Sequence, residues 1–175
     1  MTADVAVHAI HAVPVGGGIL AIAPMPGAGG NYAADVEHIR NWAPALVLSL
    51  VTRTELVVAG AENFGSDMQD RGTRWDHLEI EDFAAPDAAF DARWAAVSGF
   101  ARRALLGGGR VLLHCKGGCG RSGMAALRLM IEMGEAPDEA LQRLRAVRPC
   151  AIETDAQMAW AMAAKRAPAI FVRHS

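Results

Sequence analysis

Cysteine is scarce in this sequence. The 175 residues include three cysteines, Cys115, Cys119 and Cys150. An odd and small number of cysteines does not make a disulfide framework. We therefore expect reduced thiols and a cytoplasmic location, because cytosolic redox systems keep most thiols reduced.

Strong net charge and long apolar runs are also lacking. The formal net charge is −2, so there is no electrostatic reason to expect nucleic acid as the main partner. The first residues, MTADVAVHAIHAVPVGG, hold no basic cluster and have histidines within their apolar run, so we expect no signal peptide. No apolar run approaches the roughly 20 residues that cross a bilayer, and no membrane span is predicted.

The composition is otherwise that of a globular protein. Hydrophobic residues make up 52% of the chain and charged residues 21%, which excludes disordered and fibrous classes. The length suits one domain, predicted over residues 1–175. No repeat or low-complexity linker divides it.

The hydrophobic pattern predicts alternating strands and helices. Strands are predicted over residues 5–13, 19–23, 45–51, 75–80 and 110–114, with a turn over 14–18. Helices are predicted over residues 31–42, from 52, from 87 to about 105, and over 124–133, 137–147 and 154–166. This order indicates an α/β domain with a central, mostly parallel twisted sheet flanked by helices.

A glycine-rich loop follows the strand predicted over residues 110–114. Residues 113–123 read Leu-His-Cys-Lys-Gly-Gly-Cys-Gly-Arg-Ser-Gly and precede a helix. Ligand sites of open α/β sheets lie at the carboxyl ends of strands. A loop rich in glycine curls tightly, and its amides and the helix dipole then attract an anion. Phosphate binding is predicted for Lys116, Gly117, Gly118, Cys119, Gly120 and Arg121.

Cys115 and Arg121 carry the predicted chemistry. An anion-binding loop stabilises a thiolate over a thiol, which makes Cys115 a nucleophile. Arg121 follows six positions later, and its planar guanidinium can bind two phosphate oxygens. The alternative is an inert cysteine in a glycine-rich turn.

The loop resembles the active-site motif His-Cys-x5-Arg-Ser/Thr of the dual-specificity branch of the protein tyrosine phosphatases. Residues 23–27, 48–56, 82–87 and 151–154 are similar to the kinase-associated phosphatase subgroup. The resemblance implies the phosphatase fold and hydrolysis through a phosphocysteine intermediate, with no cofactor and no metal.

A general acid is needed to protonate the leaving oxygen. Carboxylates upstream of the loop are Asp76, Glu79, Glu81, Asp82 and Asp87. Asp82 begins the loop after the strand, and the resemblance places the acid there, in the Asp-x3-Pro-Asp segment of residues 82–87. Asp87 is instead predicted to cap the next helix.

Two further residues of the motif have predicted roles, a catalytic one for Ser122 and a supporting one for His114. Ser122 is predicted to bond the Cys115 sulfur and assist its departure, or else to cap the helix. His114 is predicted to fix the loop by hydrogen bonding, with a core histidine as the alternative. Lys116 faces outward and either attracts anions or is merely solvated.

Cys119 and Glu153 mark departures from the family pattern. Phosphoinositide phosphatases of this superfamily often carry two loop lysines, and Cys119 occupies the second position. Cys119 either traps an oxidised Cys115 as a disulfide or fills space. The resemblance implies that Gln157 supports the hydrolytic water, but Glu153 stands where a glutamine would match. His8 and His11 would point to opposite faces of a strand, so no metal site is predicted.

The favoured function is hydrolysis of phosphomonoesters, on phosphotyrosine of proteins and also on phosphoserine or phosphothreonine. A small phosphorylated metabolite or a phosphoinositide is the alternative substrate. Other hypotheses are a non-catalytic phosphate-binding module, and an arsenate reductase or sulfurtransferase that uses Cys115 and Cys119. The oligomeric state is left open.

Overall fold

The computed structural model describes residues 8–167. Five strands form one sheet in the order β1-β2-β5-β3-β4. The strands are β1 His11–Val15, β2 Gly18–Ala23, β3 Leu46–Ser49, β4 Arg74–His77 and β5 Arg110–His114. β1 is antiparallel to β2, and the other neighbours run parallel. The predicted α/β fold with a mostly parallel sheet is confirmed.

Seven helices flank the sheet in residues 8–167. They are α1 Tyr32–Trp42, α2 Arg53–Val58, α3 Phe64–Gln69, α4 Ala88–Leu106, α5 Gly120–Glu132, α6 Pro137–Val147 and α7 Asp155–Met162. α4 and α5 pack on β2 and β5, while α6 and α7 pack on α5. None of the helices in this described range combines the length and apolar character needed to span a bilayer.

β5 is the central strand and ends at the glycine-rich loop. It pairs with β2 on one side and β3 on the other. Residues Val111, Leu112 and Leu113 are fully buried, as expected of a strand covered on both faces. The parallel neighbours therefore bring the ends of β2, β3 and β5 together at one edge of the sheet.

Several predicted boundaries were wrong. The first strand occupies His11–Val15 instead of residues 5–13, so that Pro14 lies within it on the sheet edge, where a missing N–H is tolerated. The turn is correspondingly short and centres on Gly16, whose φ is 63°. His8 precedes the strand, and residues 1–7 lie outside the described range.

Two further differences concern helices. α3 was not predicted, because Phe64–Gln69 is too short to show a periodic pattern. α5 begins at Gly120, four residues before the predicted start at 124. The glycines that favoured a loop are thus partly in the first turn of the helix. This earlier start makes Arg121 and Ser122 helical residues.

Candidate active site

The site is centred on the loop between β5 and α5, residues 115–119, here called the cysteine loop. Cys115 follows β5 directly and is only 2% exposed. Its Sγ lies 3.1 Å from the hydroxyl of Ser122. Cys115 is the one free cysteine of the described residues. Ser122 does not cap the helix, since the N-cap is Cys119.

Two glycines permit the tight path of this loop. Gly118 has a φ of 72°, and a Cβ there would lie 2.8 Å from the Pro24 nitrogen. A Cβ on Gly120 would lie 2.5 Å from Glu153 Oε1. A larger residue at position 118 would force the loop away from the backbone at the end of β2, whereas at position 120 the side chains of Glu153 and Gln157 would have to move.

Arg121 lies beneath the loop and is 1% exposed. Its Nη1 donates to Glu55 Oε2 at 2.7 Å and to the Ile80 carbonyl oxygen at 2.8 Å, and its Nη2 donates to Glu55 Oε1 at 2.9 Å. Asp82 Oδ1 is 3.3 Å from Nη2. Nε is buried with no hydrogen-bond partner among residues 8–167.

This arrangement refines the predicted clamp. The Nη1–Nη2 edge of the guanidinium is held by Glu55, so two phosphate oxygens would bind at the Nε–Nη2 edge, which Asp82 Oδ1 approaches at Nη2. Burial alone would lower the pKa of Arg121, but the hydrogen bonds and charge of Glu55 outweigh it, so the pKa is raised. Burial would raise the pKa of Glu55, but the bonds from Arg121 and Thr52 lower it. Both partners are therefore charged.

Glu55 is the partner that sequence reasoning missed. Glu55 completes the capping box with Thr52 at the start of α2. The ion pair of Glu55 with Arg121 joins residues that are 66 positions apart. No local sequence pattern predicts such a contact. A carboxylate in the first turn of the helix after β3 was the available signal.

His114 is fully buried below the loop. Its Nδ1 lies 3.2 Å from the Cys115 carbonyl oxygen, which can only accept, so Nδ1 carries the proton. Nε2 then accepts from the Ser49 hydroxyl at 2.6 Å, and Ser49 accepts from Trp75 Nε1 at 2.9 Å. Burial lowers the pKa of His114 to about 4. A neutral histidine thus ties β3 and β4 to the loop.

Asp82 lies next to Arg121, near the cysteine loop. The preceding segment continues the pairing of β4 with β3, because the amides of Leu78 and Ile80 donate to the carbonyls of Ser49 and Leu50. The Asp82 side chain is 38% exposed. The other carboxylates point elsewhere: Glu79 accepts from the amide of Arg53, and Asp87 caps α4 as predicted.

Gln157 is buried and uses both ends of its amide. Its Oε1 accepts from the amides of Glu153 and Thr154, and its Nε2 donates to the Ala84 carbonyl at 3.4 Å. Gln157 therefore connects the loop that carries Asp82 to the start of α7. The predicted role toward a hydrolytic water stays a prediction. Lys116 is exposed, as expected.

The expectation of reduced thiols is wrong for two cysteines. Cys119 and Cys150 form a disulfide, with Cα atoms 5.2 Å apart. The pairing escaped prediction because 31 residues separate them and only the fold brings α6 and the loop together. Bonded to Cys150, Cys119 is not available to trap Cys115. A reductase mechanism built on Cys115 and Cys119 loses its second thiol.

Within residues 8–167, no group of three or more histidine, cysteine, aspartate or glutamate side chains is placed to hold a metal ion.

Comparison with known proteins points to phosphatases. No family model matches the sequence. Mouse cyclin-dependent kinase inhibitor 3 is 32% identical over 119 residues, which are 67% of this chain and 55% of that protein. The matched part thus spans about half the length of this curated relative.

Solved structures share the fold. A kinase-associated phosphatase whose catalytic-site cysteine is replaced by serine superimposes with a TM-score of 0.76 at 23% identity, covering 89% of this chain and 92% of that one. Tk-PTP in its active form gives a TM-score of 0.67 at 27% identity, covering 82% and 88%.

The fold and these similarities indicate a class. The chain has the fold of the protein tyrosine phosphatases, and it resembles their dual-specificity branch. Within that branch it resembles the kinase-associated phosphatase subgroup, as the sequence predicted.

Proposed function

We propose that the protein is a phosphatase that hydrolyses phosphomonoesters through a phosphocysteine intermediate. The observation that carries the proposal is the placement of four groups around one loop. Cys115 lies at its start, Ser122 is 3.1 Å from the sulfur, Arg121 lies below, and Asp82 approaches Arg121 within 3.3 Å.

In the first step the Cys115 thiolate attacks phosphorus. The P–S bond forms while the P–O bond to the leaving group breaks, and the Asp82 carboxyl gives its proton to the leaving oxygen. The amides of the cysteine loop and the Nε–Nη2 edge of Arg121 hold the phosphoryl oxygens as their charge develops.

In the second step water attacks the phosphocysteine. The Asp82 carboxylate takes the proton of that water, and the P–S bond breaks to release inorganic phosphate. The Ser122 hydroxyl donates to the departing thiolate, which stabilises it as the leaving group. The enzyme returns to its starting charge state, so that one ester and one water give one alcohol and one phosphate.

The proposed substrates are proteins phosphorylated on tyrosine, with phosphoserine and phosphothreonine also accepted. A cavity of about 480 Å³ adjoins the loop at Lys116 and is lined on one side by Met25, Val58 and Ala59. Its apolar wall suits the side chains that flank a phosphoresidue better than it suits a small metabolite.

A cytoplasmic location stays a prediction. The Cys119–Cys150 disulfide counts against it, because reducing compartments keep most thiols reduced. Alkylation of free thiols in intact cells, followed by mass spectrometry of the peptides that hold the two cysteines, would decide which state is present.

The decisive test compares wild type with Cys115→Ser on an aryl phosphate. We expect the variant to lose at least about 10,000-fold in kcat, as happens when a catalytic nucleophile is removed. Retained binding of inorganic phosphate and an unchanged unfolding temperature would show that the variant is folded. Equal rates in the two proteins would overturn the proposal.

A second test addresses the substrate. Asp82→Ala should retain the thiolate and the phosphate site but protonate the leaving group poorly, so that bound substrates turn over slowly. Retention of phosphopeptides, with phosphotyrosine, phosphoserine and phosphothreonine peptides compared, supports a protein substrate. Preferential turnover of phosphoinositide vesicles by wild type would contradict it.

A further inference from the structure

A segment outside the proposed chemistry lies against the outer side of the cysteine loop. The segment is residues 148–152, between α6 and α7. Arg148 donates from Nη2 to the Gly117 carbonyl at 2.9 Å and from Nε to the Gly118 carbonyl at 3.1 Å. The amide of Ile152 donates to the Cys119 carbonyl at 3.1 Å. Three consecutive carbonyls are therefore held from outside by one segment.

The first two carbonyls of the loop are also held from outside. The Cys115 carbonyl accepts from His114 Nδ1 at 3.2 Å, and the Lys116 carbonyl accepts from the amide of Met25 at 2.9 Å. All five carbonyls from 115 to 119 consequently accept hydrogen bonds from groups around the loop.

The direction of these carbonyls controls the amides. In a planar trans peptide the C=O and the following N–H point in opposite directions. A carbonyl turned outward therefore turns the next amide inward, toward the place where a phosphate oxygen would lie. The contacts of Arg148 and Ile152 act on the amides of Gly118, Cys119 and Gly120 in this way.

A covalent bond joins the same two parts of the chain. Cys119 in the loop is bonded to Cys150, two residues after Arg148. Because Cys119 is also the N-cap of α5, the bond fixes the start of that helix relative to the 148–152 segment. The guanidinium and the disulfide thus act on adjacent residues of the loop.

We infer that Arg148, together with the Cys119–Cys150 disulfide, is a positioning group that holds the cysteine loop in its anion-binding conformation. Arg148 acts through the backbone and does not touch the reacting atoms. The expected effect of Arg148 on catalytic turnover rests on the proposed function. Its expected effect on the affinity for an anion does not.

The test measures tungstate binding by calorimetry in wild type, Arg148→Met and Arg148→Lys. Two charge-assisted hydrogen bonds are lost in Arg148→Met, so we expect affinity for tungstate to fall about tenfold or more. Arg148→Lys keeps the charge but not the fork, so it should recover part of the affinity. The double variant Cys119→Ser/Cys150→Ser, which keeps Arg148, should bind tungstate several-fold more weakly than wild type.

The matched control is Arg166→Met. Arg166 also donates from Nε to a glycine carbonyl, that of Gly134 at 2.8 Å, but lies away from the loop. Its tungstate affinity should equal that of wild type. If Arg148→Met binds tungstate within twofold of wild type, the inference is wrong. If Arg148→Met does not fold, Arg148→Lys and the double cysteine variant decide in its place.

Turnover of an aryl phosphate separates this inference from the proposed function. We expect Arg148→Met to raise KM and lower kcat together, with little change in unfolding temperature. If Arg148→Met binds tungstate more weakly and even the wild type has no phosphatase activity, the positioning role is supported and the proposed function is contradicted. If Arg148→Met keeps full activity and full affinity, the proposed function is supported and the positioning role is contradicted.

Discussion

Asp82 is the proposed general acid, and the geometry around its side chain supports that proposal. Its carboxylate is 3.3 Å from Arg121 Nη2, while 38% of the side chain remains exposed. Phe83, which follows, has a φ of 62°, and its amide donates to Asp82 Oδ1 at 3.1 Å. The turn therefore aims the carboxyl at the loop and leaves it accessible to a leaving group.

At this scale we predict that Asp82→Asn lowers kcat about 100-fold or more on phenyl phosphate, since the amide cannot donate the proton. The loss should be much smaller on an aryl phosphate with a strongly acidic phenol, which leaves without protonation. Steady-state kinetics on the two esters provide the measurement.

Glu81→Gln is the matched control for Asp82→Asn. Glu81 is the adjacent carboxylate and is exposed, so its replacement should change neither rate by more than about twofold. A similar loss of kcat in both variants would show that Asp82 is not the acid. The same conclusion would follow if Asp82→Asn lowered kcat equally on the two esters.

Among the elements, α2 contributes most to the site beyond the cysteine loop. Its capping box fixes the first turn, and Glu55 in that turn both completes the box and holds Arg121. The helix is only six residues long, so its stability depends on these end contacts more than on propensity. One short helix thus fixes the orientation of the buried guanidinium.

We predict that Glu55→Gln lowers the free energy of unfolding by about 2 kcal/mol, because the buried guanidinium loses the nearer of its two carboxylate partners. The value of kcat/KM should fall about tenfold or more, since Arg121 loses its fixed orientation. Denaturant titration and aryl phosphate kinetics measure the two effects.

Glu37→Gln serves as the comparison for that variant. Glu37 pairs with Arg40 at 3.9 Å on the surface, with 55% of its side chain exposed. Such a pair contributes about 0–1 kcal/mol. Equal effects of the two substitutions would contradict a special role for the Glu55–Arg121 pair.

For the molecule as a whole, the buried His114 couples the sheet to the site and makes stability depend on pH. Its pKa is lowered to about 4 by burial, compared with 6.5 ordinarily. Between these values the unfolded chain binds a proton that the folded protein does not. Stability should therefore be full above about pH 6.5 and decline as the pH falls toward 4.

The expected decline is about 3 kcal/mol, since each pH unit between the two values contributes about 1.4 kcal/mol. His8, whose pKa is also lowered by burial, adds in the same direction. The lowered pKa of Glu55 has its effect below about pH 4.5, outside most of this window.

Denaturant unfolding at several pH values between 7.5 and 4.5 measures this decline. Nitrogen NMR of the His114 ring should show a neutral imidazole with the proton on Nδ1 at pH 5.5. His38→Gln, which replaces a partly exposed histidine of α1, should leave the decline in place. Constant stability from pH 7 to pH 5 would contradict the prediction.

The sequence by itself determined the class of fold and the cysteine loop. Both are local in origin: the buried strand β5 has a continuous apolar pattern, and the loop has glycines where the chain must bend tightly. The position of Asp87 as a cap and the start of a helix near Thr52 also followed from the sequence, since a cap bonds to amides within the next turn. The roles of Cys115, Asp82 and Ser122 remain predictions, now with a geometry that supports them.

Only the tertiary structure decided what surrounds the loop. Glu55 pairs with Arg121, which is 66 positions away in the sequence, and Cys119 is bonded to Cys150, which is 31 positions away. Arg148 meets the Gly117 carbonyl because α6 returns the chain to the end of β5. Such contacts depend on how the parallel strands and their crossover helices are arranged in space. No periodicity or local motif encodes them, so the supporting groups of the site appear only when the chain is folded.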